Sequence, residues 1–265
     1  MNDVLRATGR AAKSLAQGVG AAGARARAMT PRPPRFAGAY DSRDAALAAI
    51  PASLRGGYDD ESIADVSFPQ MCERAAFDYP LIFWLSRLLP DLRHVVDAGG
   101  HLGTKYIAFS GVLDLSGLQW TVQDLPGIVA AARKRQAAGG LPAELRFAET
   151  LKGLECPDLL LASGLMQYLD RPLAALLEDL GGRPRHILLN KVALRDGPAV
   201  FTIERIGHGR VPYQIRSRAD WQAELDALGY DLRDSWEIGE LSHAIPTHPW
   251  LGRSASRGYL LERRD

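Results

Sequence analysis

The chain has 265 residues, enough for one large domain with a well-buried core or for two small ones. Hydrophobic residues make up 46% and charged ones 24%, an ordinary globular balance, and no run approaches the ~18–20 apolar residues needed to cross a bilayer. A net charge of +1 gives no whole-molecule field for nucleic acid, and the two cysteines, Cys72 and Cys156, fit no metal-ligand spacing.

Residues 1–36 stand apart. They carry Arg6, Arg10, Lys13, Arg25, Arg27, Arg32 and Arg35 against a single acid, Asp3, and they end in the linker-like Thr30-Pro31-Arg32-Pro33-Pro34. The plain expectation is a partly helical or flexible basic tail. The sharper alternative, a cationic segment touching an anionic membrane surface, lacks the large apolar residues of an amphipathic face. Nothing in this leader reads as a secretory signal, so a soluble, cytoplasmic protein with idle thiols and no metal is expected.

From residue 37 to 265 a single domain is expected, with a helical part over 37–93 and an α/β core over 94–265. Residues 42–50 and 69–89 suit helices. In the second, Leu81, Leu85 and Leu88 recur at helical spacing, and Pro80 marks a kink or break. His94-Val95-Val96-Asp97 then reads as a strand running into a Gly-rich loop, followed by a helix from Thr104 to Val112. Gln119–Gln123 is a second strand, Ile128–Ala138 a helix, Leu145–Phe147 a third strand and Asp158–Ala162 a fourth, almost wholly apolar as a strand covered on both faces should be. A helix over Leu173–Leu180, a fifth strand at His186–Leu189 and a helix over Ala219–Leu228 follow, the last ended by Gly229. Late strands near Tyr230–Trp236 and Gly258–Glu262 close the sheet.

This alternation implies βαβ units and a doubly wound, mostly parallel, seven-stranded Rossmann-like sheet. Ligands in such sheets bind beyond the carboxyl ends of the strands. The first of those ends is Asp97-Ala98-Gly99-Gly100-His101-Leu102-Gly103. Glycines let the main chain turn sharply and approach a ligand, and the following helix aims free N–H groups at the same space. A dinucleotide loop would be G-x-G-x-x-G, seating a pyrophosphate on that helix end. Here an acid stands at the strand tip, which suits the ammonium and sulfonium of S-adenosylmethionine and is a liability beside a pyrophosphate. An ordinary tight turn is the plainer alternative. Asp124, in Asp124-Leu125-Pro126, follows Gly103 at the spacing expected of an acid that accepts both ribose hydroxyls, although it could also cap the next helix.

These residues carry a resemblance. Val96-Asp97-Ala98-Gly99-Gly100 followed by Asp124-Leu125-Pro126 resembles the plant and animal small-molecule O-methyltransferases. From Phe36 onward the chain is similar to a bacterial family of S-adenosylmethionine-dependent methyltransferases with no established substrate. That likeness runs through Gly38-Ala39-Tyr40, Gly57-Tyr58-Asp59, the loop from Asp97 to Tyr106, Ser163-Gly164-Leu165-Met166-Gln167-Tyr168-Leu169, Pro212-Tyr213 and Gly229-Tyr230 to Trp236. It implies the class I methyltransferase fold, S-adenosylmethionine as cofactor, and Asp97, Gly99, Gly100, His101, Gly103, Asp124, Leu125 and Ser163 around it. Glu149, after the third strand, stands where the fold often places an adenine-contacting acid. His101 departs from the O-methyltransferases, which carry a third loop glycine, and Gln167 stands near their general-base histidine.

Methyl transfer is a displacement at carbon, for which alignment is worth up to about 7–11 kcal/mol and a base roughly 10²–10⁴-fold. Gln167 cannot take a proton at neutral pH. Candidates on the acceptor side are therefore Gln167 and Tyr168 as positioning groups, with His208, Tyr213, His243 and His248. The region Ala193–Arg216 is longer than an αβ loop requires and is expected to cover the acceptor. The expected reaction is methyl transfer to a small-molecule or saccharide-type acceptor, at oxygen. Two alternatives stand beside it. One is an inactive partner protein of the same fold. The other is a nicotinamide-dependent oxidoreductase, which would want a Tyr-x-x-x-Lys pair that the chain lacks.

Overall fold

The computed structural model describes residues 16–30, 32–55 and 68–264. Residues 1–15 and the Gly57-Tyr58-Asp59 motif lie outside the described residues. The central sheet forms where the apolar runs predict it. Its parallel strands are β2 (His94–Ala98), β3 (Gln119–Gln123), β4 (Leu145–Ala148), β5 (Leu159–Ser163) and β6 (His186–Arg195). β9 (Tyr230–Glu237) and β10 (Ala255–Arg263) close it as antiparallel strands. Side by side the order is β4-β3-β2-β5-β6-β10-β9, so the winding reverses between β2 and β5.

Alternation along the buried strands explains why both faces are covered. Val96 and Ala98 of β2, with Leu160 and Ala162 of β5, meet Leu173, Leu176 and Leu177 of the Leu173–Glu178 helix and Trp221 and Leu225 of the Arg218–Ala227 helix. Val95, Leu159 and Leu161 point the other way, onto Leu81 and Leu85 of the Tyr79–Leu88 helix and Tyr106 and Phe109 of the Thr104–Ser110 helix. Period-two side chains on a sheet wedged between period-3.6 helices bury nearly every residue of β2 and β5. The predicted helix over 69–89 is broken as Pro80 suggests: Phe68–Met71 is one short helix, and Pro80 sits in the first turn of the Tyr79–Leu88 helix.

Three strands go beyond the seven expected. β1 (Phe36–Tyr40) pairs antiparallel with β7 (Val200–Ile206), and β7 forms a hairpin with β8 (Gly209–Ser217). β8 joins the main sheet where Leu194 and Arg195, at the end of an extended β6, pair with Arg216 and Ser217. The part over 37–93 is thus not wholly helical, and the expected cover over 193–216 is pleated. Pro212, which has no N–H to donate, sits where β8 has only β7 as a neighbour.

Residues 16–28 of the basic leader are helical, with Ala21 1% and Ala24 6% exposed, and the Arg25 guanidinium lies 5.2 Å from the Trp250 ring centroid. Arg35 forms an ion pair with the buried Glu204 at 2.7 Å. The leader from residue 16 therefore rests on the domain instead of trailing from it. No helix among the described residues is long and apolar enough to cross a membrane. Removing residues 1–30 should lower the calorimetric melting temperature by a few degrees, since about 1 kcal/mol corresponds to roughly 2–4 °C in a domain this size. An unchanged midpoint would mean that this helix contributes nothing to the fold.

Candidate active site

The loop after β2 is shaped by close approach. Gly99 adopts φ +69°, and a Cβ there would stand 2.9 Å from Leu165 Cδ1. At Gly100 a Cβ would stand 2.6 Å from the Asp97 carboxyl, so the main chain lies directly over that side chain. Gly103, at φ +79°, opens the Thr104–Ser110 helix. Only a residue without a Cβ fits such positions. Asp97 is buried below the loop at 1% exposure, and its Oδ2 has no hydrogen-bond partner among the described residues. Burial pushes its carboxyl up to about 7, opposed by Trp120 and Lys105.

Main-chain hydrogen bonds stitch the strand ends together. Gly99 N–H donates to Gln123 O at 2.8 Å, and Asp124 N–H donates to Ala148 O at 3.1 Å. Asp124 accepts from His101 N–H through Oδ2 at 2.7 Å and from Leu125 N–H through Oδ1 at 2.8 Å. It does not cap the Pro126–Ala137 helix, whose N-cap is Leu125. Its carboxylate holds the loops after β2 and β3 in register.

A cleft of about 930 Å³ opens from these loops. Gly99, His101, Asp124, Leu125 and Ser163 line it, while Asp97, Gly100 and Gly103 shape the turn from behind. Gln167, Tyr168 and Tyr213 line it as well, with Phe36, Phe77 and His243. Arg216, arriving on β8, donates to the carbonyls of Met166 at 3.1 Å and of Leu169 and Arg171 at 3.0 Å each, which fixes the segment bearing Gln167 and Tyr168. Tyr168 OH donates to Glu204 Oε2 at 2.7 Å, and its ring meets Tyr213 edge-on at 5.6 Å. Glu204 is 1% exposed and also accepts from Arg35, so a buried carboxylate anchors the phenol from behind.

Three predicted residues fall elsewhere. His208 is exposed at the tip of the β7–β8 hairpin, outside the cleft, because the segment forms a hairpin whose turn points into solvent. Glu149 is about half exposed and ion-paired with Arg133 at 2.9 Å, and it does not line the cleft. His248 is likewise absent from the lining and bonds Thr247 through Nδ1 at 2.9 Å. Of the three histidines expected on the acceptor side, His243 lines the cleft, stacked on Phe36 at 3.9 Å, with Nδ1 at 3.2 Å from Leu241 O. Burial lowers its pKa, which favours the neutral ring.

Lys191 went unnoticed in the sequence. It and His101 are the only non-glycine residues with positive φ among those described, at +62° and +57°, and both line the cleft. Strained backbone of this kind persists only where the surrounding structure enforces it, and it clusters at functional sites. The Lys191 ammonium lies 4.3 Å from the Phe77 ring centroid, and its pKa is lowered to about 8 by burial and by Lys105.

No family model and no curated relative matches the chain. Solved structures do. The N-terminal domain of EvdMO1, crystallised in the presence of S-adenosylhomocysteine and D-fucose, matches at TM-score 0.50 and 16% identity over 72% of this chain and 85% of that one. A Burkholderia thailandensis 1,6-didemethyltoxoflavin N1-methyltransferase with bound S-adenosylhomocysteine is 22% identical over 72% of this chain and 79% of its own, at TM-score 0.45. Magnesium protoporphyrin IX methyltransferase from Synechocystis PCC 6803 is 17% identical over 70% and 81%, at 0.43. The EvdMO1 match and the strand order agree on one class: the chain has the Rossmann-like fold of the S-adenosylmethionine-dependent methyltransferases.

The buried carboxyl gives a direct test. The folded pKa of Asp97, about 7, lies above the ordinary 3.8, so the folded state binds more protons between these values. Its contribution to stability is present below about pH 4 and lost as pH rises through about 7. Asp97→Asn should therefore raise the melting temperature of the unliganded protein in alkaline buffer and leave it nearly unchanged in acid. The same shift at both pH values would show that Asp97 is not held neutral by burial.

Proposed function

We propose that the chain is an S-adenosylmethionine-dependent methyltransferase acting on a small-molecule or saccharide-type acceptor, at oxygen. The observation that carries this reading is the convergence of a Gly-rich turn and two acidic strand ends on one side of a cleft, opposite an aromatic and polar wall. The residues fit the cofactor's chemistry. Gly99 and Gly100 leave main chain where a Cβ would clash, the Asp97 Oδ2 is a buried acceptor without a partner among the described residues, and Asp124 lines the cleft beside Leu125. Two buried or half-buried carboxyls would oppose the pyrophosphate of a nicotinamide cofactor.

Asp124 would hold the ribose, Leu125 and Ser163 would flank the adenosine, and the Asp97–Gly103 turn would receive the methionine end. When bound, S-adenosylmethionine supplies an electrophilic methyl group on a positively charged sulfur that leaves with the bonding electron pair. The chain's own task is to exclude water and aim the acceptor oxygen. Tyr168, Tyr213 and Gln167 form the wall that does so, with Tyr168 fixed by Glu204 and its segment by Arg216. His243, neutral and on this wall, is the group suited to accept the acceptor's proton. The related fold of EvdMO1, crystallised in the presence of D-fucose, supports a sugar-sized acceptor.

Titration calorimetry with S-adenosylhomocysteine tests the cofactor half. Asp124→Ala removes charge-assisted hydrogen bonds of roughly 1.5–3 kcal/mol each, so affinity should fall at least about tenfold. Gly99→Val should do more damage, and Gln167→Ala should stay within a few-fold of wild type. NAD should give no heat. If Asp124→Ala binds like wild type while Gln167→Ala does not, the two sides of the cleft have been assigned the wrong way round.

A further inference from the structure

Among the described residues, cations outnumber acids along the acceptor side of the cleft. Arg35, Arg43, Arg55, Lys191 and Arg210 all line it. Arg35 is neutralised by Glu204, but Arg43, Arg55, Lys191 and Arg210 have no carboxylate within ion-pair distance among the described residues. Of the lining acids, Asp124 is engaged by two main-chain N–H groups, which leaves Glu240 against four cations. The chain as a whole is only +1, so this is a local concentration and not a global excess. A bound cofactor adds to it, since its ammonium and sulfonium outnumber its single carboxylate.

Lys191 is the most telling of the four. Asp78, the carboxylate whose charge acts on Lys191, is taken by the buried Lys105 at 2.7 Å. Lys191 is left over the face of Phe77, in a backbone conformation that non-glycine residues avoid. Arg43 opens the Arg43–Ala48 helix, which packs over β8, and Arg210 lies on β8 itself, so helix and hairpin together present cations to the cleft. Phe36, Phe77, Tyr168 and Tyr213 supply the apolar surface between them.

We propose, building on the methyltransferase reading, that the methyl acceptor is an anionic small molecule whose carboxylate or phosphate group is bound by Lys191 together with Arg43, Arg55 and Arg210. Unpaired cations in a partly dry cleft gain from an incoming anion twice: by attraction in a low dielectric and by charge-assisted hydrogen bonds. Guanidinium groups take carboxylate and phosphate in the same forked geometry. An anion also restores the ammonium of Lys191. The groups that face it are Lys105, which lowers its pKa, and Asp78, which raises it. Because that pKa is about 8 in the empty cleft, anion binding above this pH must take up a proton, and affinity must fall as pH rises through it.

The test uses the full chain loaded with S-adenosylhomocysteine and three probes of one shape: para-hydroxybenzoate, para-hydroxyphenyl phosphate and the neutral para-hydroxybenzyl alcohol. Calorimetry in two buffers of different ionisation enthalpy, at neutral pH and about one unit above the ammonium's midpoint, reads affinity and proton uptake together. At least one anionic probe should bind about tenfold or more tightly than the alcohol, and its binding at the higher pH should take up a proton. Lys191→Met should abolish that uptake and weaken the anion only. Arg43→Ala and Arg210→Ala should weaken the anion and leave the alcohol unchanged. The better of the two anions identifies the group. Equal binding of all three probes, binding of none, or an anion preference that survives all three substitutions overturns the proposal. Affinity for S-adenosylhomocysteine, measured on the same samples, separates the failures: its absence in wild type removes the methyltransferase reading, whereas its presence without anion preference removes only this one.

Discussion

The hydrogen bond from the His101 main-chain N–H to Asp124 Oδ2, at 2.7 Å, is the interaction on which the site depends. It joins the loop after β2 to the segment just beyond its neighbouring parallel strand β3. His101 adopts φ +57°, a conformation that costs an L residue roughly 1–2 kcal/mol. A charge-assisted hydrogen bond of roughly 1.5–3 kcal/mol offsets that strain. With His101 held, Gly103 is in place to start the next helix, and Gly100 lies flat over Asp97. The loop is thereby set before any ligand arrives, and Asp124 does this while still lining the cleft.

The opposite side is organised by the β7–β8 hairpin. Its Arg216 reaches three carbonyls of the segment after β5, and its partner strand supplies Glu204, which takes Tyr168 and Arg35 together. Each is a buried charge that would be expensive alone. One terminal nitrogen of Arg216 is met by carbonyl dipoles, and Glu204 by an ion pair and a phenol. The hairpin thus clamps the segment that bears Gln167 and Tyr168. β1 pairs along the outer side of β7 and so adds to the sheet's edge.

The central strands were legible because a strand buried on both faces leaves a plain signature: Val95-Val96 and Leu159-Leu160-Leu161 are uninterrupted apolar runs ending at turn residues. The Gly-rich turn and the acid just beyond β3 were legible as features of the strand ends, because glycine and acid at strand tips have few other uses. The hairpin was not, since Asp196-Gly197-Pro198 breaks the run and Pro212 argues against a strand unless it is known to lie at an edge. Histidines could be counted but not placed. His208 and His243 read alike in sequence, yet one lies on an exposed turn and the other stacks on Phe36. Lys191 carries no local signal at all. Its meaning lies in a backbone angle and in the prior engagement of Asp78 by Lys105, both products of tertiary packing.

The distribution of charge across the cleft follows from the same topology. Acids come from the tips of parallel strands, Asp97 on β2 and Asp124 just beyond β3, where each can meet the free main-chain N–H groups of a loop or helix start. Cations come from elements added around that core: Lys191 from the far half of an extended β6, Arg210 from the hairpin, and Arg43 and Arg55 from the segment before the central sheet. A cationic cofactor and an anionic acceptor would each find the opposite sign on its own side. Either ligand in the other's place would meet like charge in a half-buried site, which is penalised more steeply than the right placement is rewarded. The parallel core thus carries the acids of the cleft, while the strands and helices added around it carry the cations.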